Sequence, residues 1–275
     1  MSSRSGWVTA EPGEALAGLL GVPPPGEELP LLWHWLHLLD RPAQADLGED
    51  GHPVRGGAVA PPGPGRRRMW AGGRVVQWQP LRPGEKATRT SRVLAQQDKD
   101  GRAGPMTVVT VGHEISQAGR LAITEEQHLV YREAGGSTAS GEPDEPRPGG
   151  EVRLERDVDP TLLFRFSALT YNAHRIHYDR RYAIDVEGYP GLVVHGPLQA
   201  LAMAEAARLM LGPPTGPVSF DYRLVAPLYD GEGLVASAYA GEGRSVLTRV
   251  TTREGRTTAR GTLTPLRDEP SRPGW

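Results

Sequence analysis

Three of the eight histidines, His174, His177 and His195, fall between positions 174 and 195. Imidazole is the side chain best suited to give and take protons near neutral pH, so this cluster is the most chemically specific part of the sequence. His174 and His177 lie either side of Arg175-Ile176, where an apolar run gives way to polar residues. His177 is the candidate general acid/base. Asn172, five residues earlier, can donate and accept hydrogen bonds and so hold a water, but an amide cannot act as a base. Gly196-Pro197 opens LQALAMAEAARLM, a run of good helix formers closed by Gly212-Pro213-Pro214, which puts Pro197 at the first helical position and Gly196 at the cap. Amide N–H groups at a helix start, with the positive end of the dipole behind them, stabilise negative charge developing on an oxygen. Gly196 carries no side chain to keep that oxygen away.

The neighbouring residues have simpler readings. His195 is expected to support the loop before the cap, with His174 and Tyr171 as polar neighbours of the reacting group. His174, His177 and Asp179 could ligate a metal by residue type, but nothing fixes a tetrahedral set, so no metal is expected. No Gly-rich nucleotide fingerprint sits in a strand-to-helix setting, and no cofactor is expected.

The elements that must position these groups follow from pattern and punctuation. Leu162–Ala168 has strand composition, then come the polar cluster and the helix from Gly196. Four strands are expected near Val218–Val225, Gly233–Ala240, Ser245–Thr252 and Thr257–Thr264. The first half repeats this order less cleanly. Leu31–Leu39 supplies its helix, and Arg74–Trp78, Glu85–Gln96, Met106–Gln117 and Arg120–Arg132 its strands, with turns at Lys99–Gly104 and Ala118-Gly119. Residues 133–150, EAGGSTASGEPDEPRPGG, read as a linker. Residues 1–132 and 151–266 are thus two repeats, followed by a flexible tail at 267–275. Gly51–Gly65 reads as a long loop without core. The architecture is α+β, two helices each wrapped by an antiparallel sheet.

Composition narrows the function classes. The 275 residues carry a formal charge of −2, so the many arginines give no nucleic-acid-wide basic surface. Only Lys86 and Lys99 are lysines, and that skew toward Arg, with abundant Ala, Gly and Pro, fits a GC-rich bacterial source. There is no cysteine, which removes disulfides, thiolate catalysis and Cys-ligated clusters. The most apolar stretch, Leu29–Leu39, is far shorter than the roughly 20 residues that span a bilayer, and the first residues lack a signal-peptide pattern. A cytoplasmic protein with no membrane contact is expected.

The stretch FRFSALTYNAHRIHYDRRYA, followed by EGYPGLVVHGPLQALAMAEAA, resembles the MaoC-like hydratases and dehydratases, whose motif reads D-x-N-P-[LIV]-H. The likeness is closest to the double-hotdog subgroup that includes mesaconyl-CoA-type and itaconyl-CoA-type hydratases. It covers residues 155–265 well and the first half more weakly, through GRRRMWAGG at Gly65–Gly73 and the order of elements. His177 falls on the motif histidine and Ile176 on its aliphatic position. Asn172 stands where the family has Asp, His174 where it has Asn, and Arg175 where it has Pro. The resemblance implies a double hotdog fold and addition or removal of water across the α,β double bond of an acyl-CoA or acyl-carrier-protein thioester. His177 would be the acid/base, Asn172 a water holder, and the Gly196 N–H a donor to the thioester oxygen. The first repeat would shape the acyl pocket without catalysing. Arg66, Arg67 and Arg68 beside Trp70 are candidates for the phosphates and adenine of coenzyme A, with Arg223 a weaker one. A homodimer is allowed but not required. The rival readings are a hotdog thioesterase, whose one carboxylate within the helix, Glu205, is expected at the surface, and a non-catalytic acyl-binding module.

Overall fold

The computed structural model describes residues 1–54, 66–101, 104–133 and 152–266. The linker, the tail and most of the Gly51–Gly65 loop lie outside them. Ten antiparallel strands form one sheet: β1 (Ser2–Trp7), β2 (Arg66–Gln77), β3 (Lys86–Gly101), β4 (Gly104–Gln117), β5 (Arg120–Glu133), β6 (Val152–Arg156), β7 (Val218–Leu224), β8 (Leu234–Ala240), β9 (Val246–Thr251) and β10 (Thr257–Pro265). Their order is β1-β3-β4-β5-β2-β7-β10-β9-β8-β6. Each half therefore follows the same scheme, with its first strand at the outer edge and its second at the centre. The halves join where β2 pairs with β7, from Gly72↔Arg223 to Gln77↔Val218. The sheets of the two repeats pair within one chain, which is the double hotdog arrangement.

Three helices are described: α1 (Glu11–Leu20), α2 (Pro160–Thr170) and α3 (Gly196–Leu211). In α3 every residue from Leu198 to Ala207 is buried. A helix enclosed on all sides needs no polar face, and its five alanines within that stretch let β6, β8, β9 and β10 close around it.

Three expectations need correction. Leu31–Leu39 is not an α-helix. Only Trp33–Leu36 forms a 3₁₀ turn, and Leu32 and Leu38 have positive φ. Its polar-tipped side chains explain why. Trp33 Nε1 donates to Glu205 of α3 at 2.9 Å, while His34 and Trp35 both reach Glu125 of β5. Adjacent residues must point to opposite repeats, which a regular helix does not allow at this spacing. Leu162–Ala168 is helical, not extended. Asp159 caps α2 by accepting from Leu162 N at 2.7 Å and Pro160 occupies the first turn, a start signal that outweighs aromatic content. Glu205 is buried, not at the surface, held by Trp33 and by Arg208 at 2.6 Å.

Removing that carboxylate strands a buried indole N–H and a half-buried guanidinium. Glu205→Ala is expected to lower unfolding free energy by about 2–4 kcal/mol, with Glu205→Gln losing less because it keeps the Trp33 bond. Urea titration checks this, and a loss in the alanine variant below about 0.5 kcal/mol, within ordinary surface effects, would contradict it.

Candidate active site

His177 ends a 3₁₀ turn, Arg175–His177, that packs against the segment leading into α3. Two bonds to one residue fix it there: Val193 N donates to Ile176 O at 2.9 Å, and His177 Nδ1 lies 2.7 Å from Val193 O. A carbonyl only accepts, so Nδ1 carries the proton and Nε2 the lone pair. The His177 ring stacks on His195 at 3.7 Å. His195 in turn bonds Ser167 Oγ through Nε2 at 2.8 Å and is wholly buried. Burial pushes His177 down to about 4, against the pull of the Val193 bond. It is a neutral base at physiological pH.

Around it lies a cleft of about 1500 Å³. His174, Asn172, Tyr171 and Gly196 all line it. His174 sits 5.2 Å from His177, ring to ring, and 3.9 Å from His52. Asn172 Oδ1 accepts from His174 N at 2.9 Å, closing an Asx turn, so its amide N–H groups are what it offers to a water. Tyr171 takes the left-handed conformation that ends α2, and its exposed ring lies 6.0 Å from the Arg41 guanidinium. The His195 side chain makes no capping bond to α3, which leaves the amides of the first turn for a ligand. A Cβ on Gly196 would sit 2.3 Å from Leu224 Cδ1, the tip of a side chain that would have to turn aside.

The arginine run does not act as a unit. The Arg66 side chain lies outside the described residues. Arg67 is taken by Glu187, at 2.5 Å, and by the carbonyls of Val186 and Glu187. Arg68 lines the cleft, and its charge reaches His52 and His174. Trp70 Nε1 donates to Tyr222 OH at 2.8 Å and its ring meets Trp35 edge-on, so Trp70 is part of the cleft wall. Arg223 lines a different pocket, away from His174, His177 and His195. Asp179 is held by Arg175 at 2.7 Å, outside the cleft lining.

Two groups escaped the sequence reading. His52 comes from the segment read as a coreless loop and Asp50 directly precedes it, and a D-G-H triplet with its turn-forming glycine was the available signal. Asp50, His52 and His174 are the described residues that could hold a metal, with ligand atoms within 4.8 Å of one another. The second group is the cleft wall in the first repeat. There Glu125 is fully buried, yet its bond to His34 and the charges of His34 and His113 outweigh desolvation and hold it near 2. His37, His113 and Arg89 line the same wall.

Residues 32–230 match the hydroxyacyl-thioester dehydratase type 2 family. The chain is 50% identical over 211 residues to the mesaconyl-C(4)-CoA hydratase of Chloroflexus aurantiacus, covering 76% of this chain and 74% of that one. It is 38% identical over 76 residues to the mitochondrial hydroxyacyl-thioester dehydratase type 2 of Schizosaccharomyces pombe, covering 27% and 25%. Among solved structures, a MaoC-like dehydratase from Phytophthora capsici aligns with a TM-score of 0.69 at 14% identity, over 98% of this chain and 96% of that one. A Mycobacterium tuberculosis protein described as a double hotdog aligns with a TM-score of 0.53 at 14% identity, over 94% and 92%. Such low identities speak to the fold alone, and it is the fold expected from sequence.

The histidines make the site acid-sensitive. His37, His52, His113, His174, His177 and His195 are all pushed below their ordinary value, first by burial. Below pH 6.5 the unfolded chain then binds more protons than the folded one, so stability falls as pH falls toward the folded values. His177 alone, with a folded value of about 4, accounts for on the order of 3 kcal/mol. Melting temperature is expected to hold between pH 7 and 8 and drop steadily from about pH 6.5 to 4; a flat profile across that window would contradict it. By sequence, fold and cleft, the chain belongs to the hydroxyacyl-thioester dehydratase type 2 family of MaoC-like hotdog hydro-lyases.

Proposed function

We propose that this hydro-lyase adds or removes water across the α,β double bond of a short, branched dicarboxylic acyl-CoA of the mesaconyl type, with His177 as its general acid/base. The observation that carries the reading is the Val193 clasp. It leaves Nε2 of a neutral His177 as the basic nitrogen, beside the uncapped start of α3. In hydration, His177 Nε2 takes a proton from water as the oxygen bonds to Cβ. The π electrons move toward the thioester oxygen, where the Gly196 N–H and the helix dipole meet the developing charge. Asn172 holds the water through its amide N–H. The dicarboxylic substrate class is supported by identity to the Chloroflexus hydratase and by the Arg68 cation in the cleft.

Loss of enoyl absorbance with mesaconyl-CoA tests the activity, and free-thiol release would indicate a thioesterase instead. His177→Ala is expected to cut turnover by about a hundredfold or more while thioester binding persists. Because a base must be unprotonated to act, the acid limb of the parent's rate profile should lie near pH 4, well below an ordinary histidine. A limb near 6.5 would remove His177 as the base.

A side chain at position 196 keeps the backbone N–H but bars the thioester oxygen from it, so Gly196→Val should lower turnover by about the hundredfold that loss of an oxyanion donor causes. Steady-state kinetics at parent level would place the thioester oxygen elsewhere.

A further inference from the structure

Hydration moves two protons, one leaving water and one arriving at Cα, and the motif position that would supply a second titratable group is Asn172, which cannot titrate. The first half of the chain brings one to the same place. His52 Nδ1 lies 3.0 Å from Asp50 Oδ2, its backbone N donates to Asp50 Oδ1 at 2.9 Å, and its ring packs 3.9 Å from His174 in the cleft lining. With the Nδ1 proton held by the carboxylate, Nε2 is the working nitrogen.

The segment carrying this pair is bonded to the motif itself. Arg175 N donates to Asp50 O at 2.9 Å, and Arg175 Nη1 to Glu49 O at 3.1 Å. Proline at position 175 would have no N–H for the first of these. Gly51 has φ +85°, and a Cβ there would lie 1.9 Å from Ala173 O, so the two segments touch backbone to backbone. Gly48 N closes the turn on His52 O at 2.7 Å.

Resting on the hydratase reading above, we infer that His52, oriented by Asp50, is the second proton-handling catalytic residue of the cleft and replaces the motif aspartate missing at Asn172. His177 takes the proton from water as the Cβ–O bond forms; the imidazolium of His52 gives its proton to Cα, where the electron pair of the former double bond forms the C–H bond. Both rings then exchange protons with solvent to reset, and dehydration runs the steps in reverse.

The alternatives around His177 fit less well. His195 spends Nε2 on Ser167 and is enclosed. Burial and the charges of His52, His177, His195 and Arg68 all oppose a positive charge on His174, whereas the Asp50 carboxylate is hydrogen-bonded to His52. Desolvation and Arg68 hold His52 below its ordinary value too, but Asp50 opposes them by hydrogen bond and charge and offsets them in part. His34 does pair with a carboxylate, in the wall of the first repeat, but His52 is the ring whose charge reaches His177. A divalent cation on Asp50, His52 and His174 is disfavoured because both Asp50 oxygens already hold His52 and the Arg68 charge is close.

The test is rate against pH on mesaconyl-CoA for the parent, His52→Gln and Asp50→Asn, with circular dichroism and melting curves to verify folding. His52→Gln is expected to lower kcat by about a hundredfold with KM changed little, and to lose the alkaline limb while keeping the acid limb of His177. Asp50→Asn, nearly isosteric, removes the counterion of the imidazolium and should move the alkaline limb to lower pH. A purely structural role would lower the rate and leave both limbs in place, and that result overturns the inference, as does a His52→Gln enzyme at parent rate. Activity abolished by a chelator and restored by zinc would overturn it in favour of a metal. A folded parent inactive on mesaconyl-CoA and crotonyl-CoA removes the hydratase reading and this inference together, whereas an active parent with unaffected variants removes this inference alone.

Discussion

Val193 ties the chemistry to the fold. Its N–H and C=O each hold the His177 turn, and its backbone forms a bridge with Tyr229 on the other side. Three residues later α3 begins, and α3 cannot shift because it is enclosed by four strands of the second repeat. His177 and the helix start are therefore held at fixed separation by a rigid element, and the tautomer of the imidazole is set by the same bond that places it. Disturbing this peptide would move the ring, its proton and its distance from the helix together.

The three departures from the MaoC motif read as one correlated change. Asn172 closes a turn through Oδ1, which gives the motif loop its shape without a charge. Arg175 in place of proline supplies an N–H and a guanidinium to the Glu49–Asp50 backbone, and its side chain also lies 4.0 Å over the Tyr182 ring. His174 in place of asparagine offers an aromatic face to His52. The changes at 174 and 175 both contact the segment at 48–54 docked on the loop, whereas the turn closed by Asn172 is internal to the second repeat.

Much of this was legible in the residues, for reasons that also mark the limit. Most strands with clear alternation and glycine turns were placed to within a few residues, although β2 begins eight residues before the expected Arg74 and β3 runs five past the expected Gln96, and α3 was evident from Gly196-Pro197 and its closing Gly212. The candidate site residues of the second repeat, which line one cleft, could be singled out because they are local in sequence. His52 and Asp50 were not, because their meaning depends on a contact with Ala173 and Arg175 more than a hundred residues away. Short edge strands such as β1 and β6 carry too few buried side chains to announce themselves. Leu31–Leu39 misled because composition reports that a segment is buried but not what its indole and imidazole nitrogens must reach.

That segment also accounts for the cleft. A long helix in the first repeat, enclosed as α3 is, would need small side chains along its length, whereas Trp33, His34 and Trp35 are large and polar-tipped. A 3₁₀ turn has few backbone bonds of its own, so its position rests on side-chain bonds to Glu205 on one side and Glu125 on the other. Such charge-assisted bonds, buried at both ends, are stronger than neutral ones and lock a short irregular piece where a longer helix would have filled the volume. The shortened element leaves open space beside α3, and the cleft is lined by His34 and Glu125 of the first repeat and by His177 of the second. The asymmetry between the repeats thus follows from a few buried polar contacts, and it opens a cleft at the seam of a paired scaffold.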